Sequence, residues 1–197
     1  MGISKPLCQT IPITLSLHGI PVKTKPMNLD GQYKSAEYSS AILNILKQSG
    51  KVIESKICGD SMGASIPNNA IIKVEPIQAQ VWKVGQVIVY LSGKSLVAHR
   101  ITYVGSGRLK DIIITRGDNC LGSDVPVNTN AVLGVVQSYT ISGSTHAVPP
   151  EFKKKLQQKI FIELTTHTII MTLHLNRSLA RFVTLKFAGL ARRLKPV

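Results

Sequence analysis

Acidic side chains are scarce in this chain: ten Asp and Glu stand against 24 Lys and Arg over 197 residues, a formal net charge of +14. Such an excess raises nucleic acid or an anionic membrane as partners. Its distribution narrows the question, because residues 151 to 197 carry ten of the basic residues and only two Glu. Aromatic residues make up 5% of the chain, too few to build a base-stacking platform in the basic segment. Only one short helix precedes a β-rich stretch, which leaves no helix-turn-helix, so nucleic acid is not an expected partner.

Cysteine is equally sparse. Cys8, Cys58 and Cys120 form no C-x-x-C pair and are odd in number. Neither a disulfide framework nor a zinc site is signalled, and reduced, unlinked thiols are the expectation. No cofactor or metal is expected. Long apolar runs are missing too. The first 26 residues are broken by Pro6, Pro12, His18 and Pro21, so no signal peptide is read there. The most apolar stretch, IFIELTTHTIIMTLHL at 160 to 175, contains Glu163, His167 and His174 and falls short of the ~20 apolar residues that span a bilayer. A cytoplasmic protein is expected, with peripheral contact to anionic membrane through the basic tail as a further possibility.

What is present falls into three parts. Residues 1 to 50 read as a proline-rich arm ending in one short helix over 35 to 48, with Tyr38, Ile42, Ile45 and Leu46 at helical spacing. Residues 51 to 148 change texture to six β-branched runs: KVIESKI, AIIKVEP, VGQVIVYL, SLVAHRITYV, RLKDIIITR and AVLGVVQSYT. Separated by Gly, Pro, Asn and Asp, they predict a mainly β core. Ser92-Gly93-Lys94 reads as a hairpin turn that sets Tyr90 and His99 on neighbouring strands. After Val148-Pro149-Pro150, residues 149 to 197 turn helical and basic, with Leu164, Met171, Leu175, Leu179 and Phe182 on one face. Such a tail packs on the core or docks on lipid.

A serine nucleophile needs a neutral His within hydrogen-bond reach, an acid to orient it, and backbone N–H groups facing the oxyanion. His99 is the one histidine inside the six strand-like runs, and Asp118 and Asp124 follow in the loop-like RGDNCLGSD. Ser61 sits in CGDSMGASIPNN, at the hand-over between two strand-like runs. By spacing alone these residues read equally as turn formers, caps and a core histidine.

The segments GDSMGASI, PNNAIIKVEP, VGQVIVY, LVAHRI, TRGDNCLGSD and AVLGVV, in this order over residues 57 to 136, resemble the signal-peptidase-like serine peptidases. The resemblance implies a twisted β core. It implies Ser61 as nucleophile followed by Met62, and His99 as base where typical bacterial members carry lysine. In using histidine the chain is similar to the endoplasmic-reticulum and archaeal branch, which implies Asp124 as orienting acid and Asp118 as a supporting one. The Ser61 backbone N–H would be an oxyanion donor. The partner implied is a peptide or protein precursor.

The chain departs from the family pattern at Ala64, Asn69-Ala70 and Gln86, mostly turn positions, and an N-terminal anchor like that of membrane signal peptidases is not expected. A soluble relative is expected. A degenerate relative that only binds peptide is the alternative reading. Histidine, with a reference pKa of ~6.5, is largely neutral near pH 7 but needs an acid to fix its tautomer, which is the physical reason a His base predicts an Asp.

Overall fold

A computed structural model describes residues 14–16, 34–63, 65–76, 82–93, 95–150 and 156–193. Ala64, Lys94, Cys8, His18 and most of the proline-rich arm lie outside the described residues. The chain is mainly an antiparallel sheet with one helix before it and two after.

The six strand-like runs all form strands. They are β2 (Ile53–Lys56), β3 (Ile71–Pro76), β4 (Val87–Ser92), β5 (Ser95–Val104), β6 (Ile112–Arg116) and β8 (Val132–Ile141). Three short strands join them: β1 (Thr14–Ser16) within the arm, β7 (Val127–Asn128) and β9 (Ser144–Ala147). They carry too few residues for a period-two pattern to register, and each exists by pairing with a longer neighbour. The sheet runs β1-β2-β3-β8-β4-β5-β6-β7, with β9 beside β8. All pairs are antiparallel. The β4–β5 hairpin closes at Ser92 opposite Ser95, and Gly93 takes φ +61°, the left-handed conformation that such a turn requires.

β3 alternates exposed and buried residues, with Ile72 and Val74 in the core, as a half-buried strand should. β4 and β6 are buried along most of their length and read as continuous apolar runs. One core cluster gathers Ile53, Met62, Ile66, Ile72, Val74 and Leu133 with Leu43 and Leu46 of α1 (Lys34–Ser49). α1 spans the expected residues, but Ile45 points to solvent and Leu43 takes the buried place beside Leu46.

The C-terminal segment forms two helices, α2 (Leu156–Leu175) and α3 (Arg177–Arg193). Asn176 separates them, and its side-chain oxygen accepts from the Ser178 and Leu179 N–H groups, an N-cap for α3. The expected apolar face is corrected here. Ile162, Thr165, Ile169 and Leu173 are the buried residues of α2, while Leu164, Met171, Leu175, Leu179 and Phe182 face outward. Ile169, Leu173 and Ala180 pack with Leu109, Ile112 and Ile114, so the pair lies on the β5–β6 side of the sheet. The sequence periodicity could not choose between the faces because α2 is apolar on both. No helix among the described residues is long and apolar enough to cross a membrane.

Candidate active site

Strand pairing brings three polar side chains to one face of the sheet. His99 of β5 lies opposite Ile88 of β4, so Tyr90, two residues on, shares its face. Thr115 of β6 pairs with Ile101, two residues from His99, and falls on that face as well. The loop after β6 turns back over them, where the Asp124 N–H donates to the Thr115 carbonyl at 2.8 Å. This is how Asp124 is brought to His99.

Ser61, His99 and Asp124 form a continuous chain. His99 Nδ1 lies 2.6 Å from Asp124 Oδ2, and Nε2 lies 2.9 Å from Ser61 Oγ. Burial, the largest influence on Asp124, pushes its pKa up. The His99 charge and hydrogen bonds from His99, Thr115 and Tyr90 outweigh it and leave the carboxyl below its ordinary value. An ionised Asp124 can only accept, which places the imidazole proton on Nδ1 and the lone pair of Nε2 toward the serine hydroxyl. Thr115 Oγ1 donates to the same carboxylate oxygen at 2.7 Å and Tyr90 OH at 3.0 Å. Burial, then the Asp124 charge, raises the Tyr90 pKa well above that of an ordinary phenol, so its hydroxyl remains a donor.

Asp118 sits elsewhere. It makes a buried, bidentate ion pair with Arg100, from Nε at 2.9 Å and Nη2 at 2.7 Å, and both side chains are 5% exposed. Arg100 follows His99 on β5 and points to the opposite face. It also donates to the Gly85 and Pro149 carbonyls at 2.7 and 2.9 Å. Asp118 therefore clamps the strand that carries His99 without touching the imidazole, a supporting role for a fork-shaped pair.

The segment Gly117-Asp118-Asn119 also grips the turn that presents the serine. The Asn119 N–H donates to the Ser61 carbonyl at 2.7 Å and its side-chain amide to the Asp60 carbonyl at 3.0 Å. Gly63, at φ +54°, leaves only 2.8 Å between the position of a Cβ and Asn119 Cβ. Gly117 is tighter still: a Cβ there would sit 2.6 Å from the Ser61 carbonyl oxygen and 3.0 Å from His99 Nε2.

Asn69, one of the departures from the family pattern, takes φ +68°, which asparagine tolerates better than most residues. Its N–H donates to Ile57 O at 3.0 Å, and Asn68 accepts from the Gly59 N–H at 3.0 Å, so the turn is tied at both ends. Gln86 likewise closes its own turn by accepting from the Lys83 N–H at 2.9 Å.

Beside Ser61 opens a cleft of about 450 Å³. Leu96 and Val97 of the β4–β5 hairpin, Val125 and Pro126 of the Asp124 loop, and Arg181 of α3 contribute to its wall. The Ser61 N–H donates to no backbone carbonyl among the described residues.

Sequence reasoning put forward Ser61, Met62, His99, Asp118 and Asp124. It missed the parts played by Tyr90, Arg100, Thr115, Gly117 and Asn119. Their signal was only their position within VGQVIVY, LVAHRI and TRGDN. The expectation of unlinked thiols is corrected at Cys120, which is disulfide-bonded, while Cys58 is free. Compared with protein-family models, curated proteins and solved structures, the chain matches none.

Proposed function

We propose that this protein is a serine endopeptidase, related to the histidine-using signal-peptidase-like enzymes, that cleaves a peptide or protein precursor. The observation that carries the reading is the unbroken hydrogen-bonded chain from Ser61 Oγ through the His99 ring to Asp124.

In this reading His99 Nε2 takes the hydroxyl proton as Ser61 Oγ attacks the scissile carbonyl. The Ser61 N–H faces the oxygen that becomes negative, and Asp124 stabilises the imidazolium. The proton then passes from His99 to the leaving amine as the C–N bond breaks and the acyl-enzyme forms. Water, deprotonated by His99, attacks the ester, and His99 returns that proton to Ser61 Oγ as the ester C–O bond breaks and the acid product leaves. Asp118 with Arg100 keeps the His99 strand in place, and Asn119 holds the serine turn. The cleft along the β4–β5 hairpin is where the substrate chain would lie.

The test is a fluorophosphonate probe with mass-spectrometric mapping, run alongside cleavage of a peptide library. Labelling at Ser61 and cleavage abolished by Ser61→Ala and by His99→Ala are the expected results. Cleavage that survives both changes sinks the proposal. Peptide binding without labelling would instead make the chain a non-catalytic peptide binder.

A further inference from the structure

The two C-terminal helices present two apolar faces where a packed helix needs one. On α2, Ile162, Thr165, Ile169 and Leu173 are at most 9% exposed and bury one stripe. Leu156, Ile160, Leu164, Met171 and Leu175 recur at spacings of four, four, seven and four, a second stripe on the opposite side of the helix. They are 56–79% exposed. α3 repeats the arrangement. Ala180, Thr184 and Ala191 are buried, while Leu179, Phe182, Leu185 and Leu190 are 43–57% exposed. An isolated exposed leucine needs no explanation, but nine large apolar side chains on two adjoining helices do.

Charge decides what covers them. Residues 156 to 193 contain Lys159, Arg177, Arg181, Lys186, Arg192 and Arg193, and Glu163 is the one acid among them. Lys159 reaches Glu163 at 3.9 Å, an exposed pair, and Lys186 extends over the Phe182 ring at 5.3 Å. A second copy docked on this face would set two strongly basic surfaces together, which is unfavourable. An anionic bilayer offers the opposite sign and an apolar interior for the leucines, phenylalanine and methionine. Spanning the bilayer is not the mode, because neither helix is long and apolar enough.

We infer that α2 and α3 form an interfacial membrane anchor whose outward apolar stripes lie in the headgroup region of an anionic lipid surface, with the flanking lysines and arginines on the phosphates. This inference does not depend on the peptidase reading. It has a consequence for it, since α3 also supplies Arg181 to the cleft wall. Docking would hold the cleft close to the bilayer, within reach of membrane-tethered chains.

The test is flotation of the full chain with vesicles of pure phosphatidylcholine and of phosphatidylcholine with an equal part of phosphatidylglycerol. Binding only to the anionic vesicles is expected. Two variants separate the contributions: Leu175→Gln with Phe182→Gln for the apolar stripe, and Arg177→Gln with Lys186→Gln for the charge. Each should weaken binding about tenfold or more. These side chains are exposed, so circular dichroism and Tm should stay those of the wild-type chain. Fluorophosphonate labelling in solution should also be unchanged, which keeps a failure of docking distinct from a failure of the active site. Absence of binding to anionic vesicles overturns the inference. Binding of both variants as strong as that of the wild-type chain does so too, as does a stable dimer in light scattering that the apolar variant dissociates.

Discussion

Gly117→Ala is the most discriminating perturbation of the site. The glycine's φ lies outside the left-handed region, so its backbone accepts alanine, and the obstacle is space alone. The new methyl would stand 2.6 Å from the Ser61 carbonyl oxygen and 3.0 Å from both Ser61 Cβ and His99 Nε2. Carbon contacts are comfortable near 3.5 Å, so something must give by on the order of half an ångström or more. The obstruction at 2.6 Å is backbone, and the Asn119 N–H already grips that carbonyl at 2.7 Å. The imidazole is held by Asp124 at 2.6 Å. The serine turn is therefore driven away from His99.

A misplacement on this scale costs roughly 10²-fold in rate. The overpacking itself costs about 1–3 kcal/mol of stability, which lowers Tm by roughly 3–10 °C for a chain of this size. The assay is the rate of fluorophosphonate labelling at Ser61 together with kcat/KM on a cleaved peptide, each compared with the Tm of the same preparation. A variant that folds, melts slightly lower and loses about two orders of magnitude in both rates is expected. Rates within a few-fold of wild type would refute the reasoning that this glycine exists to leave room for the serine and histidine.

Asp124→Asn should leave KM almost unchanged and lower kcat by about 10⁴, because an amide no longer holds the Nδ1–H tautomer; steady-state kinetics check the split. Asp118→Ala leaves Arg100 buried without its carboxylate and should cost about 3–5 kcal/mol in denaturant unfolding, a larger loss of stability than Asp124→Asn causes. The folded-state pKa of Asp124 lies below its unfolded value, so its interactions stabilise the fold fully above the unfolded carboxylate pKa of ~3.9 and fade as pH falls toward the folded value. Unfolding free energies of wild type and Asp124→Asn should differ by a constant amount at neutral pH and converge below about pH 4; a gap that widens in acid would contradict this. Thr115→Val removes one donor to the Asp124 carboxylate and should raise the pH at which that convergence is complete, because it raises the folded-state pKa and leaves the unfolded one unchanged.

The β core was legible because its strands are long enough to show a pattern. Ile72 and Val74 alternate with exposed neighbours in β3, and the Gly93 turn fixes the β4–β5 register that puts Tyr90 and His99 on one face. β1, β7 and β9, of two to four residues, carry no periodic signal of their own. Their existence depends on partners far away in sequence. The tail shows the opposite failure. Its strongest stripe by spacing, through Leu164, Met171 and Leu175, turned outward, because Ile162, Ile169 and Leu173 found Leu109, Ile112 and Ile114 to pack against. A helix apolar on both sides does not say which side meets the core.

By itself, the sequence determined which residues could do chemistry. The single histidine in the six strand-like runs, the serine in a glycine-flanked turn and two aspartates in one loop were countable, and so was the concentration of positive charge after residue 150. The tertiary structure decided which of these meet. Ser61 and His99 are 38 residues apart and His99 and Asp124 are 25 apart, and only the antiparallel pairing of the strands, with the loop after β6 gripping the serine turn, closes those gaps to hydrogen-bond distance. It separated the two aspartates as well, since alternate residues of a strand face opposite sides: His99 turns to Asp124, and Arg100, next along β5, turns to Asp118.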